Sequence, residues 1–186
     1  MLAEADAPLG YAGAPMAEPN LQESDAAVAE RVRSVLDGLG VSYEIMAIDP
    51  DFADTAAFCA KYGIPLDQSA NTIIVVSKKE PRQYCACLVL ATTRLDVNRT
   101  VKKLMNASRV SFASADETKE LTGMLIGGVT VFALPETLPI YVDERVMTPS
   151  WIIVGGGGRS TKVKLPPDAL RRLPTLTVVP GLAGET

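Results

Sequence analysis

Histidine is absent from the 186 residues. That removes the side chain most used as a general base and as a metal ligand, and with it every histidine-containing triad. Cysteine is scarce. Cys59, Cys85 and Cys87 are an odd number, too few for a disulfide scaffold, so the cytoplasm is the expected location. Aromatic residues make up only 5% of the chain. No apolar run approaches the roughly 20 residues that a spanning helix needs, so no membrane partner is expected. The N-terminus lacks the positive start and continuous apolar stretch of a secretion signal. Positive charge is missing from residues 1–25, which carry Glu4, Asp6, Glu18, Glu23 and Asp25 but no Lys or Arg.

What is present suits one compact domain, with 47% hydrophobic and 22% charged residues. The net charge of −4 is a property of the start of the chain: beyond residue 25, 18 basic groups face 17 acidic ones. Overall acidity therefore does not exclude a polyanionic partner. Arg159, Lys162, Lys164, Arg171 and Arg172 face only Asp168, which reads either as a phosphate-contacting patch or as a solvated face.

Residues 1–22 are rich in Ala, Pro and Gly without apolar periodicity and read as a flexible tail; residues 23–182 read as a single domain. Ser24 is a plausible cap for a helix carrying Val28, Val32, Val35, Leu36 and Leu39 at helical spacing, ended by Gly38 and Gly40. Tyr43, Ile45 and Ala47 alternate as in a strand, and a second helix is expected from Asp54 through Tyr62. Asn71–Ser77 and Gln83–Ala91 form two β-rich runs around a polar turn. This predicts a hairpin, apolar on both faces and central to the sheet. A helix over 96–105, a strand near Val110 and a Ser114/Glu117 capping box follow. Beyond Met124 strands are expected near 124–132, 139–142, 151–154, 161–165 and 175–179, with a helical turn at 167–173. The class is α/β: a mixed, mostly antiparallel, barrel-like sheet surrounded by helices.

Cys85 and Cys87 share one face of a strand but lack further ligands for zinc, and with Cys59 they read as core residues. Two glycine runs stand out. Gly127-Gly128 between apolar stretches marks either a bulge whose amides hold an oxygen or a tight sheet corner. Gly155–Gly158 lacks the spacing of nucleotide loops and fits a flexible hairpin as well as a site. Asn71-Thr72, at the mouth of a buried strand, either caps backbone or lines a pocket.

In order and spacing, these elements resemble the YbaK-type prolyl-tRNA editing family of aminoacyl-tRNA deacylase domains over about residues 28–180. The likeness rests on the strand Asn71–Val76, on Leu88–Ala91 with the Asp96-Val97 helix, on Leu121–Thr130, and on Trp151–Val154 with its glycines through Leu165. It implies a closed or nearly closed barrel and a free-standing protein. The implied reaction is hydrolysis, in trans, of the ester on a misacylated tRNA, tRNA-Pro with a small amino acid being the expected substrate. No cofactor and no metal are implied. The expected partners are aminoacylated tRNA and prolyl-tRNA synthetase; no DNA partner is expected. Carried over by position, Asn71, Gly127 and Gly128 are the catalytic candidates, and Thr72, Thr130, Gly156, Gly157, Arg159 and Lys162 the substrate-binding ones.

The chain departs from the family pattern at three places. Asn71 stands where many members carry a lysine, Val131 replaces the usual proline, and Lys162 stands where many relatives have an acid. Lys162 supplying the missing cation from the opposite wall is one reading; a plain surface residue is the other. A non-catalytic module binding aminoacyl-tRNA or a small ligand, its lysine lost to Asn71, is the alternative function.

Overall fold

The computed structural model describes residues 24–185, so the expected tail at 1–22 lies outside the described residues. Helix α1 (Asp25–Leu39) begins where the Ser24 hydroxyl accepts from the Ala27 amide at 3.2 Å. It buries Val28, Val32 and Leu36, four residues apart on one face, and ends at Gly40 in the left-handed conformation. Strand β1 (Glu44–Ala47) and helix α2 (Thr55–Tyr62) follow.

The centre is the expected hairpin, β2 (Ala70–Ser77) antiparallel to β3 (Tyr84–Leu90). Strands β4 (Thr93–Leu95) and β5 (Val110–Phe112), helix α3 (Lys102–Leu104) and helix α4 (Ala115–Thr122) complete the first two thirds. The helix expected over 96–105 is a π-helical turn, Val97–Val101, running into α3. The Ser114/Glu117 capping box at the start of α4 forms with both of its bonds. Then come β6 (Ile140–Asp143), β7 (Ile152–Gly156), β8 (Gly158–Leu165), β9 (Leu176–Val179) and β10 (Ala183–Glu185).

Five strands form one sheet in the order β5-β2-β3-β6-β9; β1-β8-β7 form a second and β10-β4 a third. Pairing is antiparallel except β3-β6 and β6-β9. Sequence reading missed the short pair β10-β4, whose residues carry no strand pattern. A single parallel bridge, Ser69 to Ile153, joins the first two sheets, so the strands curl without closing into a barrel. One large core lies between the sheets and α1, including Leu36, Leu88, Met124, Phe132 and Leu170. A second, with Val75, Cys85, Cys87 and Val89, covers the other face of the central hairpin. A third sets Phe58 of α2 against Ile48, Ala53 and Ile153.

The strand expected over 124–132 does not form. The Gly128 amide donates to the Leu125 carbonyl at 2.9 Å, and Gly127 sits at φ +92°, so the chain turns instead of extending. Met124 and Phe132 are buried on either side of that turn, which explains the apolar pattern without a strand.

Candidate active site

β5 pairs β2 at Val75–Ser77 and the Ala113 amide donates to the Ile74 carbonyl at 2.9 Å, so only the edge of β2 from Ala70 to Ile73 has no β5 partner. A cavity of about 330 Å3 opens there, and Asn71, Thr72, Gly127, Gly155 and Lys162 are among the residues lining it. Position 71, one glycine of each run (Gly127 and Gly155) and Lys162 are thus brought to one space. α2 contributes Asp54 and Thr55 from its N-terminal end, and α4 contributes Thr118.

Lys162 is 6% exposed, which overturns the surface reading. It lies opposite Gly155 in the β7-β8 pairing, where no side chain blocks its path. Its Nζ donates to the Ala53 carbonyl at 2.7 Å and to the Gly127 carbonyl at 2.9 Å, 5.1 Å from the Phe58 ring centre. No carboxylate forms an ion pair with it among the described residues, and burial pushes the ammonium down to about 8.

Asn71 is half-buried, and its Oδ1 accepts the hydroxyl proton of Thr55. That bond fixes the side-chain amide and leaves the Nδ2 protons for another acceptor. Thr72 Oγ1 is buried without a hydrogen-bond partner among the described residues. Asp54, with a side chain 67% exposed, is the one carboxylate among the lining residues, 3.6 Å from Arg159 Nη1.

Arg159 braces the entrance. Its guanidinium donates to the Ile126 carbonyl and, at 3.0 Å, to the Pro50 carbonyl. Its backbone amide donates to Asp25 Oδ1 at 2.6 Å. Burial pushes the Asp25 carboxyl up, but bonds from Ser160 and from the Arg159 and Ser160 amides outweigh it and hold it below the usual range.

The remaining expected site residues lie behind the cavity wall. The Gly128 amide is spent on Leu125, and a Cβ at Gly128 would meet the Gly157 carbonyl oxygen at 2.7 Å. A Cβ at Gly157 would meet Val32 of α1 at 2.8 Å, and one at Gly156 would run into Thr161. These glycines let two backbones and a helix approach. Thr130 is fully buried and is not a lining residue. The five charges of 159–172 do not form one face: Lys162 points inward, Arg159 serves backbone carbonyls, Lys164 lies over the Trp151 ring, and Arg171 pairs with Asp168.

Sequence reading missed Asp54 and Thr55, legible only as a helix start, and Phe112, Thr118 and Ile126. The α/β fold that brings an open sheet edge, a glycine turn and a buried lysine around one small cavity is shared with known structures. The protein APE2540, described as hypothetical, superposes with TM-score 0.74 at 23% identity, covering 83% of this chain and 99% of that one. A candidate trans-editing enzyme for prolyl tRNA synthetase superposes with TM-score 0.73 at 23% identity, covering 86% of this chain and 98% of that one. The model of the aminoacyl-tRNA editing domain matches residues 49–173, and the chain belongs to that family.

Proposed function

We propose that the protein is a trans-acting aminoacyl-tRNA deacylase whose cavity hydrolyses the ester of a tRNA-Pro carrying a small amino acid. The family supports an aminoacylated RNA as substrate, and the description of the second structure supports prolyl-tRNA synthetase as the functional partner. A synthetase pocket discriminates one methylene by only about 1–3 kcal/mol, so a second, size-limited cavity has a physical purpose.

The carrying observation is that Lys162 of β8 and Asn71 of β2 line the same cavity. Water attacks the ester carbonyl carbon, and negative charge develops on its oxygen. The Lys162 ammonium and the Asn71 amide protons stabilise that charge. The bond to the ribose oxygen then breaks, that oxygen takes the proton from the attacking water, and amino acid and RNA leave. Asp54 faces the substrate's ammonium group. Lys162 thereby supplies from β8 the cation that the family resemblance leads one to expect at position 71, where this chain has Asn71.

The test is release of amino acid from tRNA-Pro charged with alanine, cysteine or serine. Turnover that collapses in Lys162→Ala and partly returns in Asn71→Lys/Lys162→Ala supports the reading. An unchanged rate in Lys162→Ala removes Lys162 from it. Saturable binding without release makes the chain a binding module.

A further inference from the structure

The exposed large hydrophobic residues of the described chain are Leu66, Phe112, Leu125 and Ile126, at 46%, 57%, 44% and 50% exposure. Phe112 and Ile126 line the cavity, Leu125 adjoins Ile126, and Leu66 lies three residues before the lining Ser69. Two of the four, Phe112 and Ile126, thus stand exposed at one mouth, which marks an interaction surface. Phe112 ends the edge strand β5 and belongs to none of the three apolar clusters. Its ring therefore has no structural employment in the core.

Charge selects the partner. At the other end of β5 the Arg109 carbonyl accepts from the Lys78 amide at 2.9 Å. Lys78, Lys79 and Arg109 are exposed, and none forms an ion pair among the described residues. Three steps of extended strand, about 10 Å, separate Arg109 from Phe112, whose side chains alternate to opposite faces of the edge strand. Cations at one end of the edge strand and an exposed ring beside a cavity at the other give a single strand crossing that edge both of its contacts: phosphates on the cations, a base on the aromatic face.

Resting on the deacylase reading, we propose that Phe112 is a stacking platform for the unpaired terminal base of the RNA, with Ile126 on the opposite rim, holding the ester over the cavity. Ring and base form no bond, so Phe112 is a positioning residue.

The experiment compares wild type, Phe112→Ala and Phe112→Tyr on two substrates: charged tRNA, and the same amino acid esterified to ribose without a base. Phe112→Ala raises KM for tRNA about tenfold at unchanged kcat, Phe112→Tyr restores it, and the base-free ester shows no difference. An RNA with 2-aminopurine as its terminal base gives a second reading: its fluorescence is quenched by wild type and not by Phe112→Ala. Equal KM and equal quenching in Phe112→Ala overturn the proposal, and leave the rim to a protein partner. Quenching that depends on Phe112 without hydrolysis of any ester sinks the deacylation and keeps the stacking; hydrolysis insensitive to Phe112 does the reverse.

Discussion

The two glycine bends look alike on paper and do opposite work. At 126–128 the bend faces the cavity: Gly127 lines it, turns at φ +92° and offers its carbonyl to Lys162. At 155–158 only Gly155 lines the cavity, while Gly156, Gly157 and Gly158 make room for Thr161, for α1 and for the Asp25 carboxylate. One bend presents chemistry and the other permits packing, and they are clipped together by the Gly157 amide on the Gly128 carbonyl at 2.8 Å. What a missing Cβ leaves room for, rather than the missing Cβ itself, separates a site glycine from a structural one.

That contrast can be broken most forcefully at Gly155, where an alanine Cβ would run into the Val129 carbonyl, backbone that cannot swing aside. Gly155→Ala is expected to cost about 3 kcal/mol or more and to lower the thermal midpoint by roughly 10 °C. A comparable effect should appear in the pH dependence of stability. The folded chain holds Lys162 at about 8 against an ordinary 10.5, so between those values the unfolded chain binds more protons, and stability rises with pH. The rise should be on the order of 3 kcal/mol. Denaturant titrations at pH 8 and 10.5 should show it in wild type and not in Lys162→Met.

Next comes catalysis. Lys162→Ala should lower the deacylation rate about 100-fold, a typical loss for one oxyanion donor. In wild type the rate should fall as pH passes about 8 and the ammonium loses its proton. Asn71→Ala, losing a neutral donor held by Thr55, should cost about tenfold in kcat. The smallest effect belongs to the far face: Cys85→Ala/Cys87→Ala, in the core that covers the opposite side of the hairpin, should leave deacylation within about twofold. A large loss there would mean that the two faces of the sheet are coupled.

The elements readable in the sequence were those whose signals are local. Ser24, Ser114 and Gly40 mark helix ends because a cap is a bond between near neighbours. The hairpin 70–90 is legible because β-branched runs on both sides of a polar turn have few other ways to be buried. The stretch 124–132 misled because a turn that buries Met124 and Phe132 has the same apolar composition as a strand. The site was half legible. Asn71 and Gly127 were singled out, while Asp54, Thr55 and Phe112 carried only the signals of a cap and an edge strand.

The order of residues was enough to set the α/β class, the central hairpin and the family, since these depend on periodicity and neighbour chemistry. Only the folded arrangement decided that Lys162 lies inside. Its alternation along β8 is that of Lys164, two residues on, which rests on Trp151. The difference comes from what each meets: Phe58, the Ala53 and Gly127 carbonyls and an opposing glycine, supplied by segments distant in the chain. Burial and long-range hydrogen bonds have no period in the sequence, and they make one of two similar lysines a candidate for catalysis.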